Sequence, residues 1–300
     1  MEQKKQNIDI TPQIDSILEE IHNVLNIDDF IFYGGAIIDL IINNKLPIND
    51  YDIAIQTKDK KVISEVIKNL EINNYKILEK IRYYKNIDIE LIVIYASRGN
   101  MSLDIAFMKD VTIVGQFSIN SLYCKYPEKI VIDKYNAIED IKNKKIKLIR
   151  KEKENPYILL SIIMKLSSKY SIDLDYFENK KVVKFFIEKA KYWDHKSFFH
   201  NKLARASAIS SLLRSIIRSK NKYKTFLAFK NTGIIDLLLP EVNNILNKDS
   251  FNNVKTKSDL IKEILSNLEI KYKKSVIKKI EILRYRNWDI ADLEIVHSIN

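Results

Sequence analysis

Phe30-Ile31-Phe32-Tyr33-Gly34-Gly35-Ala36-Ile37-Ile38-Asp39, and after a short interval Asp50-Tyr51-Asp52-Ile53-Ala54-Ile55, set the reading of the front half of this chain. The apolar run 30–33 stops at a Gly-Gly pair and reads as a buried strand. Residues 36–42 read as a helix that ends near Asn43-Asn44 and is closed by Pro47. Gly-Gly lets a backbone come close to phosphate oxygens, and the N-terminus of the following helix favours an anion. The second segment reads as a strand carrying Asp50 and Asp52 at i and i+2. Strand side chains alternate, so both carboxylates leave the same face. Two like charges held together are costly unless a cation lies between them, and hard oxygen pairs suit Mg²⁺. A third acid, Asp104, sits in the strand-like run Leu103-Asp104-Ile105-Ala106-Phe107.

Outward from these segments, residues 1–10 read as a loose tail. Thr11-Pro12 opens a helix that runs to about Asn26, with Ile14, Ile17, Leu18, Ile21, Val24 and Leu25 at helical spacing. A helix is expected over 61–69, and strands over 87–95, 103–108, 111–114 and 130–133. After Leu148 the periodicity is helical almost throughout, over 158–166, 182–190, 203–217, 260–268 and 276–283. The expected architecture is α+β: a mixed head, residues 1–148, followed by an all-helical, basic remainder, residues 149–300.

The chain has 300 residues, 46% hydrophobic and 30% charged, a balance that excludes wholesale disorder. No apolar run reaches the ~18 residues that span a bilayer, and residues 1–6 lack a signal-peptide stretch. The expectation is a cytoplasmic protein with no membrane partner. A single cysteine, Cys124, excludes an internal disulfide framework and a Cys-based zinc cage, and it is expected to be buried and inert. The four histidines are scattered. Net charge is +11, but residues 1–150 carry −1 and residues 151–300 carry +12. That asymmetry suits a polyanion on the back half, although solvated lysine faces have the same composition.

Strand, Gly-Gly, helix, Asp-x-Asp strand and a third strand acid, in that order, describe a phosphoryl-transfer site with paired metals and a triphosphate cradle. The segments resemble the head motifs of class II tRNA nucleotidyltransferases and bacterial poly(A) polymerases, within the polymerase-β-like nucleotidyltransferase superfamily. Gly34-Gly35 with Asp39, then Asp50-Tyr51-Asp52, is similar to that family's G-G-x-x-R-D and D-x-D. Asp104 to Lys109 is similar to its third acidic strand, and Phe117-Ser118-Ile119-Asn120-Ser121-Leu122 to its F-T-x-N-A-L stretch. Ile132-Asp133 with residues 137–144, and Leu239-Pro240-Glu241, resemble later segments.

The resemblance implies a nucleotidyltransferase head with a helical neck and body. It implies transfer of a nucleoside monophosphate from an NTP, ATP and/or CTP, to an acceptor hydroxyl. Asp50, Asp52 and Asp104 would be the catalytic carboxylates and Mg²⁺ ligands. Gly34, Gly35, Lys109, Ser118 and Asn120 would contact the nucleotide. The expected acceptor is an RNA, a tRNA 3′ end, lying along the basic helical half.

Several positions depart from the pattern. The arginine after Gly-Gly is Ile38, the R-R-D before the F-T-x-N stretch is Val114-Gly115-Gln116, and the base-reading E-D-x-x-R is Glu154-Asn155-Pro156-Tyr157-Ile158. Three readings follow: a divergent nucleotidyltransferase with loose base selection, one that modifies a protein or small molecule, or a catalytically degenerate RNA-binding homologue. Two further features of the back half stand out. Arg214 and Arg218 lie i, i+4 and suit either a phosphate or plain solvent. Tyr170, Tyr192 and Trp193 alternate with Lys169 and Lys191, as a single-strand stacking surface does, though helical-core packing is the plainer reading.

Overall fold

The computed structural model describes residues 6–43, 50–85, 88–108, 115–149, 155–193 and 198–281. Two compact units emerge, Met1–Asp140 with Leu148–Arg150, and Ile141–Lys147 with Lys151–Asn300. Instead of one cut at residue 148, the chain crosses between units around a short interleaved segment.

The first unit is built on an eight-stranded sheet. Its strands are β1 (Gln6–Asp9), β2 (Phe30–Tyr33), β3 (Asp50–Gln56), β4 (Lys76–Lys85), β5 (Asp88–Arg98), β6 (Met101–Met108), β7 (Tyr123–Tyr126) and β8 (Ile130–Asp133), in spatial order β1-β8-β7-β2-β3-β6-β5-β4. All neighbours run antiparallel except β3 and β6, which are parallel. The expected tail therefore contains an edge strand, because β1 pairs with β8 from Gln6↔Asp133 to Asp9↔Ile130. Strand β4 is not expected from the sequence, since Lys76–Lys85 lacks clean alternation. It is held as one arm of a long hairpin with β5, with register shifts along the pairing. Lys109 and the strand expected over 111–114 lie outside the described residues.

Helices α1 (Pro12–Leu25), α2 (Gly35–Asn43), α3 (Lys60–Ile72) and α4 (Ala137–Lys142) accompany the sheet. Thr11 caps α1, its hydroxyl accepting from the Ile14 amide. Helix α1 covers one face of the sheet, where Ile17, Ile21 and Val24 line a small cavity together with Tyr51 and Leu103. Asn69 of α3 donates to the Leu25 carbonyl at 2.9 Å, pinning α3 to the end of α1. Asp133 is buried, and its carboxylate accepts from the amides of Ala137 at 2.7 Å and Ile138 at 3.1 Å, so β8 leads directly into α4. Cys124 is buried, and burial pushes its thiol up to about 12. That leaves it inert at neutral pH.

The second unit is helical in all its described elements: α5 (Pro156–Tyr170), α6 (Phe177–Lys191), α7 (Phe198–Arg218), α8 (Lys222–Asn231), α9 (Ile234–Leu238), α10 (Lys257–Ser266) and α11 (Ile270–Glu281). Small buried residues on α7, among them Ala204, Ala208, Ser211 and Ser215, let neighbouring helices approach it closely. Buried Asn179 on α6 closes the entry segment. It accepts from the Ile146 amide at 2.8 Å and donates to the carbonyls of Lys144 at 2.9 Å and Asp173 at 2.8 Å. Glu241 of the Leu-Pro-Glu turn accepts from Ser275 at 2.7 Å and Lys279 at 2.5 Å, fastening α11.

Candidate active site

Asp50 and Asp52 stand on β3 facing away from Tyr51, which α1 covers. The parallel pairing of β3 with β6 places Asp52 opposite Asp104 and Asp50 opposite Ser102. Cross-strand partners share a face, so the three acids named from sequence come to one open face of the sheet. The Ser102 hydroxyl donates to Asp50 at 2.8 Å. The row through Asp52 continues on both sides, to Tyr33 and then Tyr123 in one direction, and from Asp104 to Tyr95 in the other. Two carboxylates are thus framed by tyrosines across five strands. That frame and the Ser102 contact come from strand order, although Ser102-Leu103-Asp104 repeats the i, i+2 spacing of Asp50 and Asp52.

Burial raises the Asp104 carboxyl to about 7, with the charge of Asp50 adding to the effect. Burial likewise holds the Tyr33 phenol far above its ordinary range, helped by Asp52 and Asp104. Both shifts express one condition, negative charge crowded on a partly desolvated surface. No group of three or more His, Cys, Asp or Glu among the described residues is drawn together as a ready metal cage. What the face offers is carboxylate oxygen donors brought together on adjacent strands. That chemistry fits a hard divalent cation such as Mg²⁺ and would not suit zinc.

Gly34 links β2 to α2 with φ of +83°, in the left-handed region that glycine tolerates. A Cβ there would overlap the Asp52 carboxylate, so the backbone of the Gly-Gly turn lies directly against the acid. The expected adjacency of turn, helix start and Asp-x-Asp strand is therefore real. The departures from the family pattern also find physical reasons. Ile38 is wholly buried, facing the core where an arginine would bury a charge. Gly115 has no room for any side chain, because its Cβ would meet the backbone carbonyl and amide oxygen of Asn120. Asn155 caps α5, accepting from the Tyr157 amide at 3.0 Å, and Pro156 takes the first helical position.

Ser118 and Asn120, expected to contact the nucleotide, also make hydrogen bonds within the first unit. Ser118 is buried and its hydroxyl donates to Asp140. The Asn120 side chain accepts from the Phe117 amide at 2.9 Å and donates to Gln116 at 3.3 Å. In this arrangement both residues shape the 115–121 loop.

No protein-family model matches the chain, and no curated protein matches it. Solved structures do. A tRNA-processing enzyme in an apo form aligns with a TM-score of 0.61 at 12% identity, covering 92% of this chain and 76% of that one. A Thermotoga maritima CCA-adding enzyme complexed with tRNA aligns at 0.59 and 14% identity, over 98% of this chain and 76% of its own. A tRNA nucleotidyltransferase complexed with a primer tRNA and an incoming ATP analogue aligns at 0.56 and 11% identity, over 92% and 85%. The similarity spans nearly the whole chain although the residues have diverged almost completely, and this protein has the fold of the CCA-adding tRNA nucleotidyltransferases.

Proposed function

We propose that this chain is a metal-dependent nucleotidyltransferase that moves a nucleoside monophosphate from an NTP, ATP or CTP, to the 3′ hydroxyl of an RNA, a tRNA or a tRNA-like end. One observation carries the reading: Asp52 and Asp104 are register partners on adjacent parallel strands, and the Gly34-Gly35 turn presses on Asp52. Solved structures of this fold in complex with tRNA and an ATP analogue support the substrate class.

Asp50, Asp52 and Asp104 would hold Mg²⁺, which when bound supplies charge neutralisation for the triphosphate and activation of the acceptor hydroxyl. The chain's own contribution is mainly positional. Gly34 brings main chain against the carboxylates, and the first turn of α2, which carries no acid, presents the positive end of the helix dipole to an anion. Ser102 fixes the rotamer of Asp50. Partial burial of Asp104 lowers the effective dielectric around the reacting groups, which strengthens each charge interaction there.

The occupied positions 38 and 115 favour loose base selection, or an acceptor hydroxyl on a protein or small molecule. The test is incubation of the purified chain with Mg²⁺, each labelled NTP in turn, and RNA or cell lysate. Label on RNA that disappears in Asp52→Asn supports the proposal. Label on protein selects the second acceptor, and label nowhere rejects the enzyme reading.

A further inference from the structure

Helix α6 packs through Val183, Phe186, Ile187 and Ala190, all buried. Its opposite face does not follow the usual polar pattern of a solvated helix. Phe177 is 67% exposed, Phe185 47% and, one residue past the helix, Tyr192 82%. At ~100° and ~1.5 Å per residue the three rings fall in one arc, opposite the buried face and about 22 Å long. Large aromatic side chains left in water at regular spacing mark a contact surface. Tyr192, expected from sequence to pack in the core, is in fact the most exposed of them.

Lysines interleave with these rings. The ammonium of Lys181 lies 4.1 Å from the Phe177 ring centroid, and that of Lys189 lies 4.6 Å from the Phe185 centroid. Lys184 is exposed on the same arc. The acids nearby are already matched, Glu188 by Lys191 at 2.7 Å and Glu178 by Lys145 at 3.5 Å. Among the described residues, Lys181, Lys184 and Lys189 have no acidic partner. The face is therefore aromatic and net positive, on the half of the chain that carries +12.

We propose that this face of α6 binds single-stranded RNA, with bases stacking on Phe177, Phe185 and Tyr192 and phosphates meeting Lys181, Lys184 and Lys189. Every base has a π-face and every nucleotide a charge, so alternating rings and ammonium groups recognise a strand with little regard to its sequence. The proposal builds on an RNA acceptor but assigns a contact surface separate from the carboxylate site.

The experiment measures anisotropy of a labelled 15-nucleotide single-stranded RNA with the full chain, without NTP, over a salt series. A blunt RNA hairpin, anionic vesicles and an acidic peptide serve as comparison probes. Phe185→Ser/Tyr192→Ser should weaken single-strand binding at least tenfold, given roughly five- to hundred-and-fiftyfold per stacked base. Phe185→Tyr/Tyr192→Trp should retain binding. Lys181→Gln/Lys184→Gln/Lys189→Gln should flatten the log–log salt slope by about 2, at ~0.7 per phosphate. All replaced side chains are exposed, and circular dichroism checks that each variant stays folded.

Unchanged affinity in the serine variant, equal affinity for hairpin and single strand, or binding only to vesicles or peptide would each overturn the proposal. Because no turnover is involved, transfer of label without single-strand binding would defeat this inference and leave the proposed activity standing. Single-strand binding without transfer would do the reverse.

Discussion

Replacing Asp104 by asparagine tests the charge crowding at the site without changing its shape. The Asp104 carboxyl is raised from 3.8 to about 7, first by burial and then by Asp50. Between pH 4 and pH 7 the folded protein keeps a proton that the unfolded chain has released. Unfolding free energy therefore falls as pH rises through that window, and the full penalty is present above pH 7. At 1.36 kcal/mol per unit, the part falling between pH 5 and pH 8 is at most ~2.7 kcal/mol. Asp104 is only partly buried, so water and counter-ions reduce this to about 1–1.5 kcal/mol.

A neutral amide at this position carries no such penalty. The stability of Asp104→Asn relative to wild type should thus increase by about 1–1.5 kcal/mol from pH 5 to pH 8 in EDTA, all other groups cancelling. Amide exchange in β3 and β6 reads the opening of the first unit directly. Added Mg²⁺ at ten times its Kd should stabilise wild type at pH 8 by ~1.4 kcal/mol and the variant by less. Identical pH dependence in the two proteins would refute the reasoning, because it would mean that Asp104 titrates as an ordinary surface acid.

Gly34→Ala should cost ~1–2 kcal/mol from its left-handed backbone alone, plus the displacement of Asp52, and should abolish transfer. In an Asp52→Ala background only the backbone cost should remain, and a double-mutant cycle with no coupling would show that the turn and the acid are not in contact. Asn179→Ala strands one amide and two carbonyls in the second unit and should cost about 3–5 kcal/mol. Asn179→Asp should be similarly harmful, since it keeps only the acceptor, and a thermal melt showing under ~1 kcal/mol for either would remove Asn179 as the lock of this segment.

Local pattern was enough to reveal much of this protein. Glycine pairs, i, i+2 acids and helical periodicity are short-range signals. From them come β2, α2, β3, β6, the helical character of residues 156–281 in its described elements, and the three acids now found on one face. Other features depend on partners distant in sequence. Gln6–Asp9 becomes a strand only because β8 offers an open edge, and Lys76–Lys85 only because β5 pairs with it. Which residues stand beside Asp52 and Asp104 is a matter of sheet order, so Tyr33, Tyr95 and Ser102 could not be assigned from spacing alone. Ser118 and Asn120 stand in a short motif, but their partners Asp140, Phe117 and Gln116 are set by how the loop closes. Phe177, Phe185 and Tyr192 carry the same apolar character as core residues. Only the packing of α6 decides which side of the helix faces water, because burial belongs to the whole unit and to no single stretch of it.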